Sequence, residues 1–403
     1  MPNIPDALIQ ALPKTDLHLH LDGSMRESTI IDLAREQNVI LPSYTVEGLN
    51  ALVFKPSYAN LGEYLTGFAY TGAVLQDAES LERAALELAE DNIAEGVRYI
   101  EVRFAPQLHM HHGLSFDEVL LAVHRGLAAA MSTHEQSDAV KVRGEPPFRF
   151  GIIVCALRMF TAEFSRWYKQ LLALFENTPV NQIYSMASLE LARAAIRCRD
   201  AHGVPIVGFD LAGQEDGYPA RAHRDAYDFA HQHFLKKTVH AGEAYGPESI
   251  FEAITLLHAD RIGHGYHLFS ADMCGSDVAD PKDYVQRLGQ YIADRRVTVE
   301  VCITSNLQTN PAIGSVKNHV FGRMLSDRLS ATLCTDNRLV SHTTVSREVR
   351  LAVDAFDLDL KQLRNTIIYG FKRSFYPGTY IEKRRYVRQI IDYYDRVAGE
   401  HQA

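Results

Sequence analysis

Eight short apolar runs, each set off by a longer amphipathic stretch, punctuate this 403-residue chain and leave few folds open to it. They lie near 15–20 (TDLHLH), 98–104 (RYIEVRF), 149–156 (RFGIIVCA), 205–211 (PIVGFDL), 237–241 (KTVHA), 260–264 (DRIGH), 297–303 (VTVEVCI) and 329–335 (LSATLCT). Runs of this length and composition are the pattern of buried parallel strands. Between them, stretches such as Leu81–Glu95 repeat apolar residues at three- and four-residue intervals, the period of a helix packed on one side. Strand and helix in alternation require a parallel sheet with right-handed crossovers. Eight such units predict an α/β fold, a (β/α)8 TIM barrel. The doubly wound alternative lacks its best marker, because no G-x-G-x-x-G follows the first run. The first run starts at 15 and the second at 98, so extra helices are expected after the first strand. The polar segment Ser132–Pro147 reads as a surface loop or insertion, and Ser270–Lys282, rich in Ser, Asp and Gly, is a further irregular stretch. No repeat or linker breaks the pattern, and residues 1–403 are expected to form one domain.

A net charge of −9 argues against broad contact with nucleic acid or anionic membranes, which want clustered lysine and arginine. No apolar stretch reaches the 18 residues of a membrane span. The five cysteines include no C-x-x-C pair, a usage that fits a reducing compartment. The start, MPNIPDALIQALPKTDLHLH, lacks the basic and apolar regions of a signal peptide, and a cytoplasmic protein is expected. Oligomeric state stays open between monomer and homo-oligomer.

Several runs end in metal-capable or titratable side chains, and the C-terminal end of the strands is where this architecture builds active sites. In Asp16-Leu17-His18-Leu19-His20-Leu21-Asp22, strand alternation puts His18 and His20 on one face and the leucines on the other. The fifth run ends in His240-Ala241-Gly242-Glu243, the sixth in His264, the eighth in Asp336-Asn337. Three histidines and an aspartate make a Zn²⁺ site that leaves room for water. An unpaired Asp336 closing the run LSATLC would be costly to bury, which is a reason to expect a cation there. His109, His111 and His112 have no such partners and are expected in an exposed loop.

KTDLHLHLDGS at the first strand, LAGQE at 211–215, HAGE at 240–243, RIGHG at 261–265 and CTDN at 334–337 resemble, in order and spacing, the adenosine deaminases of the amidohydrolase superfamily. The resemblance implies one Zn²⁺ per chain, held by His18, His20, His240 and Asp336, and a water activated to attack C6 of an aminopurine. It implies Glu243 as proton donor to purine N1 and His264 as base and electrostatic anchor for that water. Asp336 counts among the catalytic residues as well as the ligands, and His20 also lines the substrate. Gly213 is implied as backbone donor to N3 and Asp22, one pleat beyond His20, as acceptor for the ribose 5′-hydroxyl. Leu61, Tyr64, Leu65 and Phe68, at helical spacing, are implied as an apolar lid over the nucleoside. The expected reaction is adenosine, and 2′-deoxyadenosine, to inosine or deoxyinosine plus ammonia, a step of purine salvage. The rival substrates are adenine, AMP and a modified adenosine.

One position departs from the family pattern. Asn337 stands where the familiar animal members carry a second aspartate. A carboxamide offers both N–H and C=O to purine N7, so the substrate ranking, not the deamination chemistry, is what this change touches. A binuclear hydrolase on the same barrel would want a lysine in GFDLAGQE, and there is none. A non-catalytic relative would be expected to lose a ligand or Glu243, and all are present.

Overall fold

The computed structural model describes residues 4–401, so the expected single unit 1–403 extends beyond the described residues at both ends. Each of the eight runs forms a strand: β1 Lys14–His20, β2 Val97–Phe104, β3 Arg149–Leu157, β4 Ile206–Ala212, β5 Lys236–Ala241, β6 Arg261–His264, β7 Thr298–Val301 and β8 Ala331–Leu333. They pair in parallel and in sequence order, β1 through β8. A parallel bridge between Leu19 and Asp336 joins the last strand region to the first, His20 N–H donating to Asp336 O at 2.8 Å and Asp336 N–H to His18 O at 2.8 Å. The fold is a (β/α)8 TIM barrel.

Five helices separate β1 from β2, spanning Glu27–Gln37, Val46–Leu52, Leu61–Leu65, Phe68–Val74 and Ala78–Ala94. The last is the helix a βα unit needs, and the others are the expected insertion. Local chemistry starts three of these helices: Thr45, Asn60 and Asp77 accept from the backbone N–H three residues on. The helix Ala78–Ala94 buries Leu81, Ala84, Ala85, Leu88 and Ala89, one face at helical spacing.

Two expected loops are corrected. The helix Phe116–Gln136 runs on through the polar residues Ser132–Gln136, and a short helix Asp138–Lys141 follows before the chain loosens. His134 is the reason: it is buried, and its Nδ1 accepts the Phe148 N–H at 3.1 Å, tying the helix end to the start of β3. His109 is fully buried, donating from Nδ1 to Leu75 O at 2.8 Å, while His111 bonds Gln76 O at 2.8 Å. These two histidines pin the inserted helices to the loop after β2. Only His112 is exposed as expected.

Barrel interiors are commonly filled by branched aliphatic side chains. This one carries ions. Arg103 on β2 donates to Asp210 on β4 at 2.8 Å, to Glu300 on β7 at 2.9 Å and to Leu17 O at 2.5 Å. Arg261 on β6 reaches the second Glu300 oxygen at 2.6 Å and pairs with Glu101 on β2. All five side chains are buried. Removing one partner from such a network leaves uncompensated charge in the interior, so it demands a unique arrangement. The apolar alternates of β2, Ile100, Val102 and Phe104, are buried in the hydrophobic core. Among the described residues no helix is long and apolar enough to cross a membrane.

Candidate active site

His18 and His20 end β1, His240 lies near the end of β5, and Asp336 follows β8. One donor atom from each lies within 4.8 Å of the other three. His20 Nε2 is 3.2 Å from His240 Nε2 and 3.4 Å from Asp336 Oδ1, which is also 3.4 Å from His18 Nε2. Second partners settle which nitrogens face inward with a lone pair. Glu300 accepts from His18 Nδ1 at 2.8 Å, and Asp210 accepts from His240 Nδ1 at 3.2 Å. In the neutral tautomer each Nε2 is therefore bare, and the two aim at one point. Buried His18 Nε2 has no hydrogen-bond partner among the described residues. Asp336 has its Oδ2 occupied by Ser305 Oγ at 2.7 Å, leaving Oδ1 toward the histidines. Lone pairs and one carboxylate oxygen so arranged could hold a divalent cation.

Asp336 and His264 both adopt φ of +62°, in the left-handed region that non-glycine residues rarely enter. Holding each there costs about 1–3 kcal/mol, and such cost gathers at functional sites. His264 Nε2 lies 3.7 Å from Glu243 Oε1. Burial pushes the Glu243 carboxyl up to about 8, so it keeps its proton near neutral pH. The tautomer of His264 follows from one backbone group. Phe321 N–H donates to His319 Nδ1, so His319 carries its proton on Nε2 and donates it to Asn306 Oδ1 at 3.1 Å. That turns the Asn306 amide nitrogen toward His264 Nδ1 at 3.1 Å, and the His264 proton then sits on Nε2, facing the site.

The expected binding residues divide. Gly213 follows β4 at φ +91°, a conformation that needs glycine, while a Cβ there would meet nothing closer than 3.9 Å. Asp22 is not a further pleat of β1, which ends at His20; it sits in the turn that follows, buried, with Oδ1 unpartnered among the described residues. Leu61, Tyr64 and Leu65 lie on one short helix and Phe68 opens the next; Thr66 and Gly67 between them keep helical φ/ψ and pass the chain on through a tightened turn. Leu61, Leu65 and Phe68 are half-buried against the core. Tyr64 is buried, its hydroxyl 2.8 Å from Ser341 Oγ and 3.5 Å from Asp336 Oδ2. Asn337 donates from Nδ2 to that same hydroxyl at 2.9 Å, and its other amide atom packs over Gly23.

Sequence reasoning passed over Glu300, Asp210, Arg103, Ser305, Asn306 and His319. The signal for the first three was present: an ionisable residue inside an apolar run, on the inward alternate, needs a buried partner. Ser305, Asn306 and His319 lie beyond β7, in the helix Ile303–Thr309 and the turn before Phe321, where no periodicity marks them.

A family model described as adenosine deaminase matches residues 13–183 and 161–393. Adenosine deaminase of Mycobacterium avium is 36% identical over 372 residues, 92% of each chain. That of Mycobacterium tuberculosis is 36% identical over 371 residues, covering 92% of this chain and 91% of its own. Among solved structures, the N6-methyl-AMP deaminase of Arabidopsis thaliana is 25% identical with a TM-score of 0.72, covering 96% of this chain and 98% of that one. Adenine deaminase of Arthrobacter aurescens shares the fold at 21% identity and a TM-score of 0.71, over 95% and 99% of the two chains. With a barrel of the right topology, a donor cluster at its mouth and similarity along nine-tenths of its length, the chain belongs to the adenosine deaminase family and is a hydrolase of carbon–nitrogen bonds.

Proposed function

We propose that this chain, acting as one domain over 1–403, deaminates adenosine and 2′-deoxyadenosine to the inosine nucleosides and ammonia, with one Zn²⁺ held by His18, His20, His240 and Asp336. The observation that carries the reading is the convergence of those four donors beside buried Glu243. Zn²⁺ bound there would supply a Lewis acid that lowers the pKa of water toward neutrality. The remaining chemistry belongs to side chains. Glu243, whose carboxyl burial pushes up, donates its proton to purine N1, which lets the ring accept charge as C6 becomes tetrahedral. His264, with its proton on Nε2, anchors the attacking water as a hydrogen-bond donor; in this tautomer it turns no lone pair to the site, so the role of base implied by the resemblance is set aside. Gly213 presents its backbone N–H to N3, and Asn337 keeps one amide hydrogen for N7 after binding Tyr64. Half-buried Leu61, Leu65 and Phe68 cover the base, with Tyr64 anchoring that cover to Ser341.

Asp22 supports a nucleoside over the rival substrates. Its unpartnered buried oxygen calls for a hydroxyl donor. A 5′-phosphate would meet like charge there, and free adenine would leave the acceptor empty. The named activities of the Arabidopsis and Arthrobacter neighbours make N6-methyl-AMP and adenine the comparisons to run. The test is a spectrophotometric screen of adenosine, deoxyadenosine, adenine, AMP and N6-methyl derivatives, with metal analysis of the same protein. Adenosine and deoxyadenosine are expected to lead in kcat/KM with about one zinc per chain. A lead for AMP or adenine overturns the nucleoside reading; two metals per active chain, or full activity without metal, overturns the mononuclear one.

A further inference from the structure

The glutamate that ends LAGQE, Glu215, is wholly buried and collects five hydrogen bonds, four from the loop Gly242–Tyr245 and one from Ser249 in the helix Pro247–Thr255 that follows. Its Oε2 accepts the backbone N–H of Glu243 at 2.9 Å, of Ala244 at 2.7 Å and of Tyr245 at 3.0 Å. Its Oε1 accepts Gly242 N–H at 3.0 Å and Ser249 Oγ at 2.6 Å. Four consecutive N–H groups converging on one carboxylate form an anion nest, here filled by a side chain of the same protein. Gly242 makes the turn possible: it sits at φ +69°, and a Cβ would meet Ile250 Cδ1 at 2.5 Å. Arg158 comes within 3.8 Å of Glu215, but its two terminal guanidinium nitrogens donate to Tyr218 O and His240 O. The carboxylate is thus bound to the loop that carries Glu243 more than to any counter-ion.

We propose that Glu215 is a positioning residue for the deamination, its acceptor-only carboxylate shaping the Gly242–Tyr245 loop so that the Glu243 carboxyl stands at purine N1. The proposal rests on the reading of Glu243 as proton donor. A loop of this length has no regular structure to set its direction, so the nest supplies the constraint that a helix or strand would supply elsewhere. Glu215→Gln keeps the length and volume but replaces one oxygen with an NH₂, which turns a donor toward donors. A misplacement of about 1 Å at the reacting group costs on the order of 10²-fold in rate.

The experiment compares Glu215→Gln, Ser249→Ala and Glu243→Gln, each loaded with zinc, by kcat, KM, metal content and ligand affinity. Two ligands are used: 1-deazaadenosine, which has no N1 for Glu243 to meet, and a 1,6-hydrated purine nucleoside that carries N1–H and a tetrahedral C6. Glu215→Gln is expected to lower kcat about 10–100-fold, with KM within about threefold and metal content unchanged. Its affinity for the hydrated nucleoside should fall in step with kcat/KM while that for 1-deazaadenosine holds, a split that a merely structural role would not produce. Ser249→Ala removes one of the five donors and should give a smaller loss of the same kind; it decides the matter if Glu215→Gln does not fold. Wild-type kcat in the Gln variant, or equal losses of affinity for both ligands, overturns the proposal. Full activity in Glu243→Gln instead overturns the proton-donor reading beneath it.

Discussion

Glu300→Gln is the most demanding test of how this site is held. The wild-type carboxylate takes four donors: His18 Nδ1 at 2.8 Å and Arg103 at 2.9 Å on one oxygen, Thr238 Oγ1 at 3.0 Å and Arg261 Nε at 2.6 Å on the other. A glutamine keeps the shape but has one oxygen. Turned toward His18 and Arg103, it leaves its NH₂ facing Thr238, whose hydroxyl can rotate to accept, and Arg261 Nε, which cannot. One charge-assisted bond is lost outright, worth about 1.5–3 kcal/mol, and two others weaken to bonds with a neutral acceptor. Arg103 keeps Asp210 and Arg261 keeps Glu101, so the interior is not stripped of counter-charge. The expected loss is about 3–5 kcal/mol of folding stability, read as a shift of the urea midpoint in metal-free protein so that metal binding does not contribute. His18 also loses an anionic acceptor behind it and becomes a poorer ligand. Zinc affinity, measured by chelator competition, should fall about 10–100-fold. Affinity within twofold of wild type together with an unmoved midpoint would refute the reasoning.

Glu243→Gln should lower kcat by about 10²–10⁴-fold with zinc content unchanged, and retention of more than about a tenth of wild-type kcat would demote Glu243 to a binding residue. Burial pushes His109 down to about 4 and His223 to about 3, from an ordinary 6.5. The unfolded chain therefore binds more protons between these values, and stability falls as pH drops below 6.5, by about 1.4 kcal/mol per unit for each histidine. His109→Asn should flatten the slope of denaturation midpoint between pH 7 and 5, and equal slopes in variant and wild type would count against it. For Asn337, the 7-deaza analogue of adenosine should lose about 10–100-fold in kcat/KM, through an unpaired N–H costing on the order of 1–3 kcal/mol. In Asn337→Ala that gap should shrink; simple additivity of the two changes would show that Asn337 does not touch N7.

Barrel and strand order were legible because both rest on a local period, while the donor set came from residue types at strand ends together with the family resemblance. Alternation put His18 and His20 on one face, and the eight short runs left little besides a barrel for their helices to cover. The boundaries of Ser132–Pro147 were not legible, since a helix with one buried polar contact, His134 to Phe148, looks like a loop by composition. His109 escaped for the same reason: its partner Leu75 lies 34 residues back in the chain, in the inserted helices. Only the closed barrel could bring Glu300 behind His18 across 282 residues, Asp210 behind His240, and Glu215 under the Glu243 loop. Residue type at a strand end is written in the sequence, because side-chain direction there follows from backbone geometry. The state of each group, its tautomer, its free lone pair and its retained proton, depends on neighbours that the chain meets only once it has folded.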